Sequence, residues 1–129
     1  MSTRSYIGKK LEDGRVRCIY CHSDGYPEGV GQILQDYYNS DNIDGLLDLG
    51  DMSFIGEDYD SCFFYGRDRG EKDCEAHMVD SVKEYFNDSR DLGIEYKYLL
   101  DTDGKWYCMA VNYAPYDTKV EPLETLLKK

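Results

Sequence analysis

Five cysteines and two histidines are the residues of this chain that could supply nucleophilic or metal-binding chemistry. Cys18, Cys21 and His22 spell C-x-x-C-H, a spacing that in exported proteins can mark covalent haem attachment. The segment has the composition of a β-strand, in which a spacing of three points the two thiols to opposite faces. The pattern therefore does not favour a haem site.

A zinc site needs about four ligands with convergent geometry. Cys18 and Cys21 have no second pair of comparable spacing in the chain. Cys62, Cys74 and His77 are scattered, although Cys74 and His77 stand three residues apart on a predicted helix. Buried or half-buried thiols are the simpler interpretation, and the sequence predicts no metal site.

A cysteine nucleophile needs a base beside it. Cys21 and His22 are neighbours along a predicted strand and face opposite ways, while a pairing of Cys21 with His77 stays open. The glycines at 66 and 70 lack the spacing of a phosphate-binding loop, and the acids at 57, 58 and 60 lack that of a calcium-binding loop. We therefore predict neither an enzyme nor a cofactor.

Residues 21–31 join a predicted β-hairpin to a predicted helix. This segment carries three polar side chains within five residues. His22, Asp24 and Tyr26 could form a small ligand pocket. The same residues also suit structural roles, since Asp24 can bond the turn backbone, His22 can cap a strand end, and Tyr26 can pack over the helix. Both interpretations stay open.

The formal net charge of −11 is unevenly distributed along the chain. Residues 1–20 carry a net charge of +3, residues 21–95 carry −14, and the rest is balanced. A field of this sign repels nucleic acid and anionic membranes and attracts basic protein surfaces. Direct nucleic-acid binding and membrane association are therefore not expected.

The cysteines also indicate the compartment. An odd number at irregular spacing makes a poor disulfide framework. The first residues contain no apolar run, and no segment approaches the roughly 20 apolar residues of a membrane span. These features predict free thiols in a reducing, cytoplasmic compartment.

Two Asp-Gly dipeptides, at 13–14 and 103–104, lie between strand-forming segments and predict β-hairpins over 4–22 and 94–113. A two-residue turn would pair Leu11 with Val16 and place both on one face with Ile7, Cys18 and Tyr20. The predicted core face of the second hairpin consists of Ile94, Tyr96, Tyr98, Leu100, Tyr107, Met109, Val111 and Tyr113. The likeness of the two turns reflects common turn chemistry more readily than duplication.

Apolar residues at helical spacing predict three helices between the hairpins. The first spans about 29–38, the second follows a cap at Ser40 or Asp41, and the third spans about 74–88. Short strands are also predicted at 52–55 and 61–65, and a last helical turn at 123–129.

These elements and the chain length predict one α+β domain, residues 1–129. Its predicted architecture is an antiparallel sheet built from two β-hairpins, packed against two or three short helices.

The N-terminal part resembles a group of small uncharacterised proteins of phages and prophages. The shared pattern is Ser2-Thr-Arg-Ser-Tyr-Ile-Gly8, then Ile19-Tyr-Cys-His-Ser-Asp-Gly-Tyr-Pro27, then Val30, Gly31 and Leu34. It covers about the first 40 residues and implies a mobile-element context. Small acidic phage proteins include inhibitors of host defence, such as anti-CRISPR and anti-restriction proteins, but the resemblance assigns no residue a role.

The charge and the resemblance together suggest a phage-type inhibitor in the host cytoplasm. Its acidic surface would occupy a basic, nucleic-acid-binding site on a host defence protein such as a CRISPR or restriction effector. A homodimer is compatible with this hypothesis. The predicted partner-binding residues are Asp36, Asp41, Asp44, Asp48, Asp51, Glu57, Asp58 and Asp60.

The alternative is a protein that binds a small molecule, such as a sponge for a nucleotide signal. Its pocket would use His22, Tyr26 and the tyrosine-rich sheet for stacking. An anionic ligand also needs cations that converge on it. The candidates are Arg4, Arg17, Arg67 and Arg69.

Overall fold

The computed structural model describes residues 3–87, 93–111 and 120–127, which form an α+β fold. The strands are β1 (Arg4–Lys10), β2 (Val16–Cys21), β3 (Met52–Phe54), β4 (Phe63–Phe64), β5 (His77–Val79), β6 (Ile94–Leu100), β7 (Trp106–Ala110) and β8 (Val120–Pro122). The α-helices are α1 (Gln32–Tyr37), α2 (Ile43–Asp48), α3 (Tyr65–Arg69), α4 (Val82–Asn87) and α5 (Leu123–Leu127). A π-helical turn (Pro27–Gly31) precedes α1, and a 3₁₀ turn (Tyr59–Ser61) precedes β4.

The sheet is mixed. Its strands follow the order β4-β3-β2-β1-β6-β7-β8. β5 lies off this path and pairs with the same edge of β2 as β3 does. β1 and β6 are parallel neighbours at the centre, and β2 and β3 also pair in parallel. The prediction of a purely antiparallel sheet is therefore wrong, because the two hairpins meet through their first strands.

The first hairpin turns through three residues. The N–H of Leu11 donates to the carbonyl of Arg15 at 2.7 Å, and Gly14 adopts a left-handed φ of +91°. This loop type, closed by a left-handed glycine, holds one residue more than the predicted turn. The register moves by one residue, so Lys10 pairs with Val16, and the predicted pairing of Leu11 with Val16 is wrong.

The second hairpin repeats this loop 90 residues further along the chain. The N–H of Asp101 donates to the carbonyl of Lys105 at 3.0 Å, Gly104 adopts a φ of +80°, and Leu100 pairs with Trp106. The two hairpins therefore share one backbone design, from the turn into both strands.

Both faces of the sheet carry a buried cluster. The principal core lies under α1, α2 and α5, and its sheet residues are Ile7, Ile19, Cys21, Met52, Phe64, Tyr98, Leu100, Trp106 and Cys108. The opposite side, here called the second face, packs against α4 through Val16, Cys18, Leu99 and Met109.

This arrangement corrects both predicted hairpin faces. Ile7 lies in the principal core, whereas Val16 and Cys18 lie on the second face. In the other hairpin Tyr98 belongs to the principal core and Met109 to the second face, while the predicted core residue Tyr113 lies outside the described residues.

Two helix predictions also change. α2 begins after Asn42 without a side-chain cap, so the predicted cap at Ser40 or Asp41 is wrong. The predicted helix over 74–88 is replaced in its first half by β5, which pairs with the outer edge of β2. α4 starts after Ser81, whose hydroxyl accepts the N–H of Glu84 at 3.1 Å.

The remaining short elements were predicted more accurately. β3 and β4 fall within the predicted strands at 52–55 and 61–65, and α5 falls within 123–129. β8 was not predicted. None of the helices in the described ranges is long and apolar enough to cross a membrane.

Candidate functional site

Two of the predicted partner-binding acids on α2 are neutralised by the first hairpin. Lys9 Nζ lies 3.0 Å from Asp44 Oδ1, and Arg17 Nη2 lies 2.8 Å from Asp48 Oδ1. The aspartate side chains stay 58% and 66% exposed, so each pair is worth little in stability. The pairs nevertheless remove much of the charge that the acidic stripe of α2 would present to a partner.

Asp51 directly precedes β3 and is bonded to the backbone of two neighbouring segments. Its carboxylate accepts the backbone N–H of Tyr20 at 2.8 Å, and its own N–H donates to the carbonyl of Cys74 at 2.7 Å. Burial raises the pKa of the Asp51 carboxyl, and the Tyr20 hydrogen bond and the nearby His77 oppose the rise. The predicted surface acid is therefore part of the sheet scaffold.

Asp58 also has a structural role. Its carboxylate accepts the N–H of Ser61 at 2.9 Å and the Ser61 hydroxyl at 2.8 Å. These bonds hold the pKa of Asp58 below its usual value and fix the 3₁₀ turn that follows.

Four predicted acids remain exposed and have no basic group of the described residues within 4.0 Å. With the exposed Tyr37 they form what we call the acidic loop surface: Asp36, Tyr37, Asp41, Glu57 and Asp60. The charges of Glu57 and Asp36 both raise the pKa of Tyr37, with Glu57 the larger cause. The Tyr37 hydroxyl therefore lies among carboxylates.

Hydrogen bonds fix the two segments that carry this surface. The Tyr38 hydroxyl donates to the carbonyl of Gly56 at 2.8 Å, and the Tyr59 hydroxyl donates to the carbonyl of Asn42. The Asn42 side chain in turn donates to the carbonyl of Tyr37 at 2.7 Å. The acids at 57–60 are thus held against the end of α1 and the start of α2.

The predicted ligand pocket does not assemble around its three residues. The Tyr26 hydroxyl donates to Asp24 at 3.3 Å, whereas His22 Nδ1 lies 2.6 Å from the hydroxyl of Tyr20. Asp24 has a left-handed φ of 56°, and its carbonyl accepts the N–H of Val30 at 2.8 Å. Asp24 and Tyr26 shape the loop, and His22 belongs to the second face.

The four predicted arginines do not converge. Arg17 pairs with Asp48 as described above. Arg67 pairs with Asp68, and Arg69 pairs with Glu71. Arg4 forms no ion pair with an acid of the described residues.

The cysteine that meets a histidine is Cys18. Its sulfur lies 3.2 Å from His77 Nε2, across the pairing of β2 with β5. Cys21 lies on the opposite side in the principal core, where burial raises the pKa of its thiol to about 12. The pairing of Cys21 with His77 that the sequence left open is therefore not formed.

Neither a disulfide bond nor a metal-binding group of side chains occurs in the described part of the chain. No disulfide joins any two of the five cysteines, all of which lie in the described ranges. Within residues 3–87, 93–111 and 120–127, no three His, Cys, Asp or Glu side chains are grouped so that they could hold a metal ion.

Both histidines lie in a chain of four aromatic rings on the second face, which we call the ring cluster: His77, Tyr6, Tyr20 and His22. The ring centroids are 5.6 Å apart for His77 and Tyr6, 6.1 Å for Tyr6 and Tyr20, and 5.9 Å for Tyr20 and His22. Sequence reasoning missed this cluster. Strand alternation alone puts Tyr20 and His22 on one side, but Tyr6 and His77 join them only through strand pairing.

A small cavity of about 140 Å³ lies between α1, α5 and the turn of the second hairpin. Its lining includes Gln35, Asn39, Lys105 and Glu124. Sites for drug-sized ligands are typically about 300–1,000 Å³, so this cavity is too small to enclose a nucleotide.

Comparison with known proteins identifies no relative. No protein-family model matches the chain, and neither a curated protein nor a solved structure matches it.

Proposed function

We propose that the protein is a non-catalytic binding protein whose acidic loop surface engages a basic surface on another protein. The observation that carries this proposal is the contrast between two sets of acids. Asp44 and Asp48 are neutralised within the fold, whereas the acids of the loop surface have no cation within 4.0 Å in the described residues. Their field is therefore open to a partner.

The surface also has the composition of a protein interface. The Tyr37 residue of this surface is 44% exposed, and tyrosine is among the residues that most often dominate binding energy. The hydrogen bonds through Tyr38, Asn42 and Tyr59 hold the surface in place before binding, which lowers the entropic cost of association.

The partner that suits this surface is a protein whose basic groove normally holds nucleic acid. The resemblance of the first 40 residues to phage and prophage proteins supports a host defence effector of the CRISPR or restriction class as the target. Bound carboxylates would then compete with phosphates for the same arginines and lysines. The protein would act in the host cytoplasm as an inhibitor.

The test compares two sets of charge-removing substitutions. The first variant carries Glu57→Gln and Asp60→Asn; the matched control, which also removes two acidic charges, carries Asp44→Asn and Asp48→Asn. Affinity for a panel of purified CRISPR and restriction effectors is measured by biolayer interferometry at about 0.05 M and 0.5 M salt. We expect the native protein to bind one of them more weakly at high salt, the first variant to lose about tenfold or more in affinity, and the control to change much less.

Two outcomes would contradict the proposal. One is that no effector binds at low salt. The other is that the first variant and the control bind equally well, because the charge of the loop surface would then not contribute to recognition.

A further inference from the structure

The cavity beside the second hairpin contains polar groups that the acidic loop surface does not use. It lies where the end of α1, the turn between β6 and β7, and the start of α5 meet, and its volume is about 140 Å³. Two of its lining residues, Tyr38 and Trp106, are buried aromatics. The other side chains that line it belong to exposed polar or charged residues: Gln35, Asn39, Lys105 and Glu124.

Hydrogen bonds fix the walls of this cavity. The indole N–H of Trp106 donates to the carbonyl of Tyr38 at 3.0 Å, which ties the second hairpin to the end of α1. The turn is closed by the N–H of Asp101, which donates to the carbonyl of Lys105 at 3.0 Å. The cavity is therefore formed before a ligand arrives, which lowers the entropic cost of binding.

Two opposite charges line the cavity without neutralising each other. Lys105 and Glu124 form no ion pair, with each other or with any other charged group of residues 3–87, 93–111 and 120–127. Asp103, the acid nearest to Lys105 along the chain, accepts the Lys105 N–H at 2.9 Å and the Tyr107 hydroxyl at 2.8 Å. A ligand that neutralises both cavity charges therefore has to carry one charge of each sign.

Two amides supply further hydrogen-bonding groups. Asn39 Oδ1 accepts the N–H of Asp41 at 2.9 Å, which orients this amide and leaves its Nδ2 group as a donor. The amide of Gln35 makes no hydrogen bond with another residue in the part of the chain that the structure describes. An amide can donate to a carboxylate and accept from an ammonium group, so these side chains suit either end of such a ligand.

The volume of the cavity limits the ligand to few atoms. A protein cavity of about 150 Å³ can hold benzene, so this one has room for about six non-hydrogen atoms. The smallest α-amino acids have this size and carry an ammonium and a carboxylate group on one carbon. Their net charge is zero, so the acidic field of the protein does not repel them.

We propose that this cavity binds a small zwitterion, a free α-amino acid of the size of glycine, alanine or serine. Lys105 pairs with its carboxylate and Glu124 with its ammonium group, while the two amides complete the hydrogen bonds. A simple anion would leave Glu124 unneutralised, and a simple cation would leave Lys105 so. An amino acid with a large side chain exceeds the volume.

The site is independent of the proposed partner-binding function. Neither Lys105 nor Glu124 belongs to the acidic loop surface, and neither is changed in the variants that test that surface. Amino-acid binding and effector binding are measured separately, so the failure of one proposal leaves the other unaffected.

Trp106 is the only tryptophan of the chain, which makes the site directly observable. Its indole N–H resonance is followed in proton–nitrogen correlation spectra of the intact protein while glycine, L-alanine or L-serine is added. Acetate, methylammonium and L-phenylalanine are added in separate titrations. We expect a saturable shift with at least one small amino acid. Its affinity should exceed that of each of the other three compounds by about tenfold or more.

Variants then assign the two charge contacts. Lys105→Gln and Glu124→Gln should each weaken binding of the best amino acid about tenfold or more. The matched controls are Lys72→Gln and Glu75→Gln, which remove the same charges from exposed residues outside the cavity lining. The controls should bind as the native protein does, and circular dichroism should show the same fold for all variants.

Three results would overturn the proposal. The first is that none of the three small amino acids shifts the indole resonance saturably. The second is that acetate, methylammonium or L-phenylalanine binds as tightly as the best of them, since the paired charges or the volume would then not select the ligand. The third is unchanged affinity in a folded Lys105→Gln or Glu124→Gln variant.

Discussion

The carboxylate of Asp51 accepts the backbone N–H of Tyr20 at 2.8 Å, and in doing so completes the outer edge of β2. β5 pairs with this edge from Val16 to Cys18, and β3 pairs with it at Cys21. Tyr20 falls between the two partners, where no strand supplies an acceptor. A side chain therefore takes the place of a backbone carbonyl at the junction of three strands.

Two substitutions of Asp51 distinguish the effect of its hydrogen bond on stability from the effect of its charge. Asp51→Ala leaves the Tyr20 N–H without its acceptor and should lower the free energy of unfolding by about 1–3 kcal/mol. Asp51→Asn keeps an oxygen acceptor and removes a partly desolvated charge, so it should change the free energy by less than about 1 kcal/mol at neutral pH. Urea unfolding followed by circular dichroism measures both, and equal losses for the two variants would contradict this role.

The raised pKa of Asp51 also predicts a pH dependence. A carboxyl whose pKa is higher in the folded state binds its proton more tightly there, so its contribution to stability is greatest at low pH and falls as pH rises through the folded pKa. The native protein should therefore gain stability relative to Asp51→Asn as the pH is lowered from neutral toward the usual range of carboxyl pKa values. Unfolding curves of the two proteins at several pH values test this, and a relative loss on acidification would contradict it.

Alanine substitutions at two glycines distinguish the loss of stability caused by backbone strain from the loss caused by a steric clash. Gly50 has a φ of +85°, and a β-carbon there would lie 2.3 Å from the carbonyl oxygen of Cys74. Gly104 has a φ of +80° with nothing within 4 Å of such a β-carbon. Gly104→Ala should cost about 1–2 kcal/mol from the left-handed backbone alone.

Gly50→Ala should cost clearly more than Gly104→Ala, because the backbone at Cys74 must also move. Thermal unfolding of both variants gives the comparison. Equal costs would mean that Cys74 gives way without penalty.

The cysteines should differ in their reactivity toward iodoacetamide in the native protein. Burial raises the pKa of Cys21 and Cys108 to about 12, so both should stay unmodified until the protein unfolds. Cys74 is half-buried and should be modified first. Peptide mass spectrometry over time measures the order, with protein unfolded in urea as the control.

The rate at which the Cys18 thiol is modified tests its contact with His77. Its thiol is fully buried against the histidine ring, so it should react slowly in the native protein and faster in His77→Ala. Modification of native Cys18 at the rate of the unfolded chain would contradict the observed packing.

The sequence predicted the positions of many elements but not how they pair. Alternation and Asp-Gly turns located both hairpins, yet the loop of the first hairpin holds one residue more than predicted, which shifts the register and puts Ile7 and Val16 on opposite faces. His77 was placed on a helix because Met78, Val79 and Val82 have helical spacing. The edge of β2 that draws this segment into a strand is more than 50 residues away in the chain, so local pattern could not reveal it.

The same limit applies to the candidate site. Composition located the excess of acids in the middle of the chain, and Glu57 and Asp60 are exposed as expected. That Lys9 and Arg17 neutralise Asp44 and Asp48 depends on contacts between elements that are distant in sequence. Residue types could therefore indicate which groups carry charge, but only the fold shows which charges remain for a partner.

The common loop of the two hairpins places their cysteines in equivalent backbone positions, since Cys18 pairs with Gly8 as Cys108 pairs with Tyr98. Cys18 faces α4 and touches His77, whereas Cys108 faces the principal core. The two hairpins are thus related by a half-turn about an axis parallel to the strands. The half-turn puts one thiol beside the exposed imidazole of His77 and its counterpart in the buried core beside the Tyr98 hydroxyl, so one backbone unit yields two chemically distinct environments.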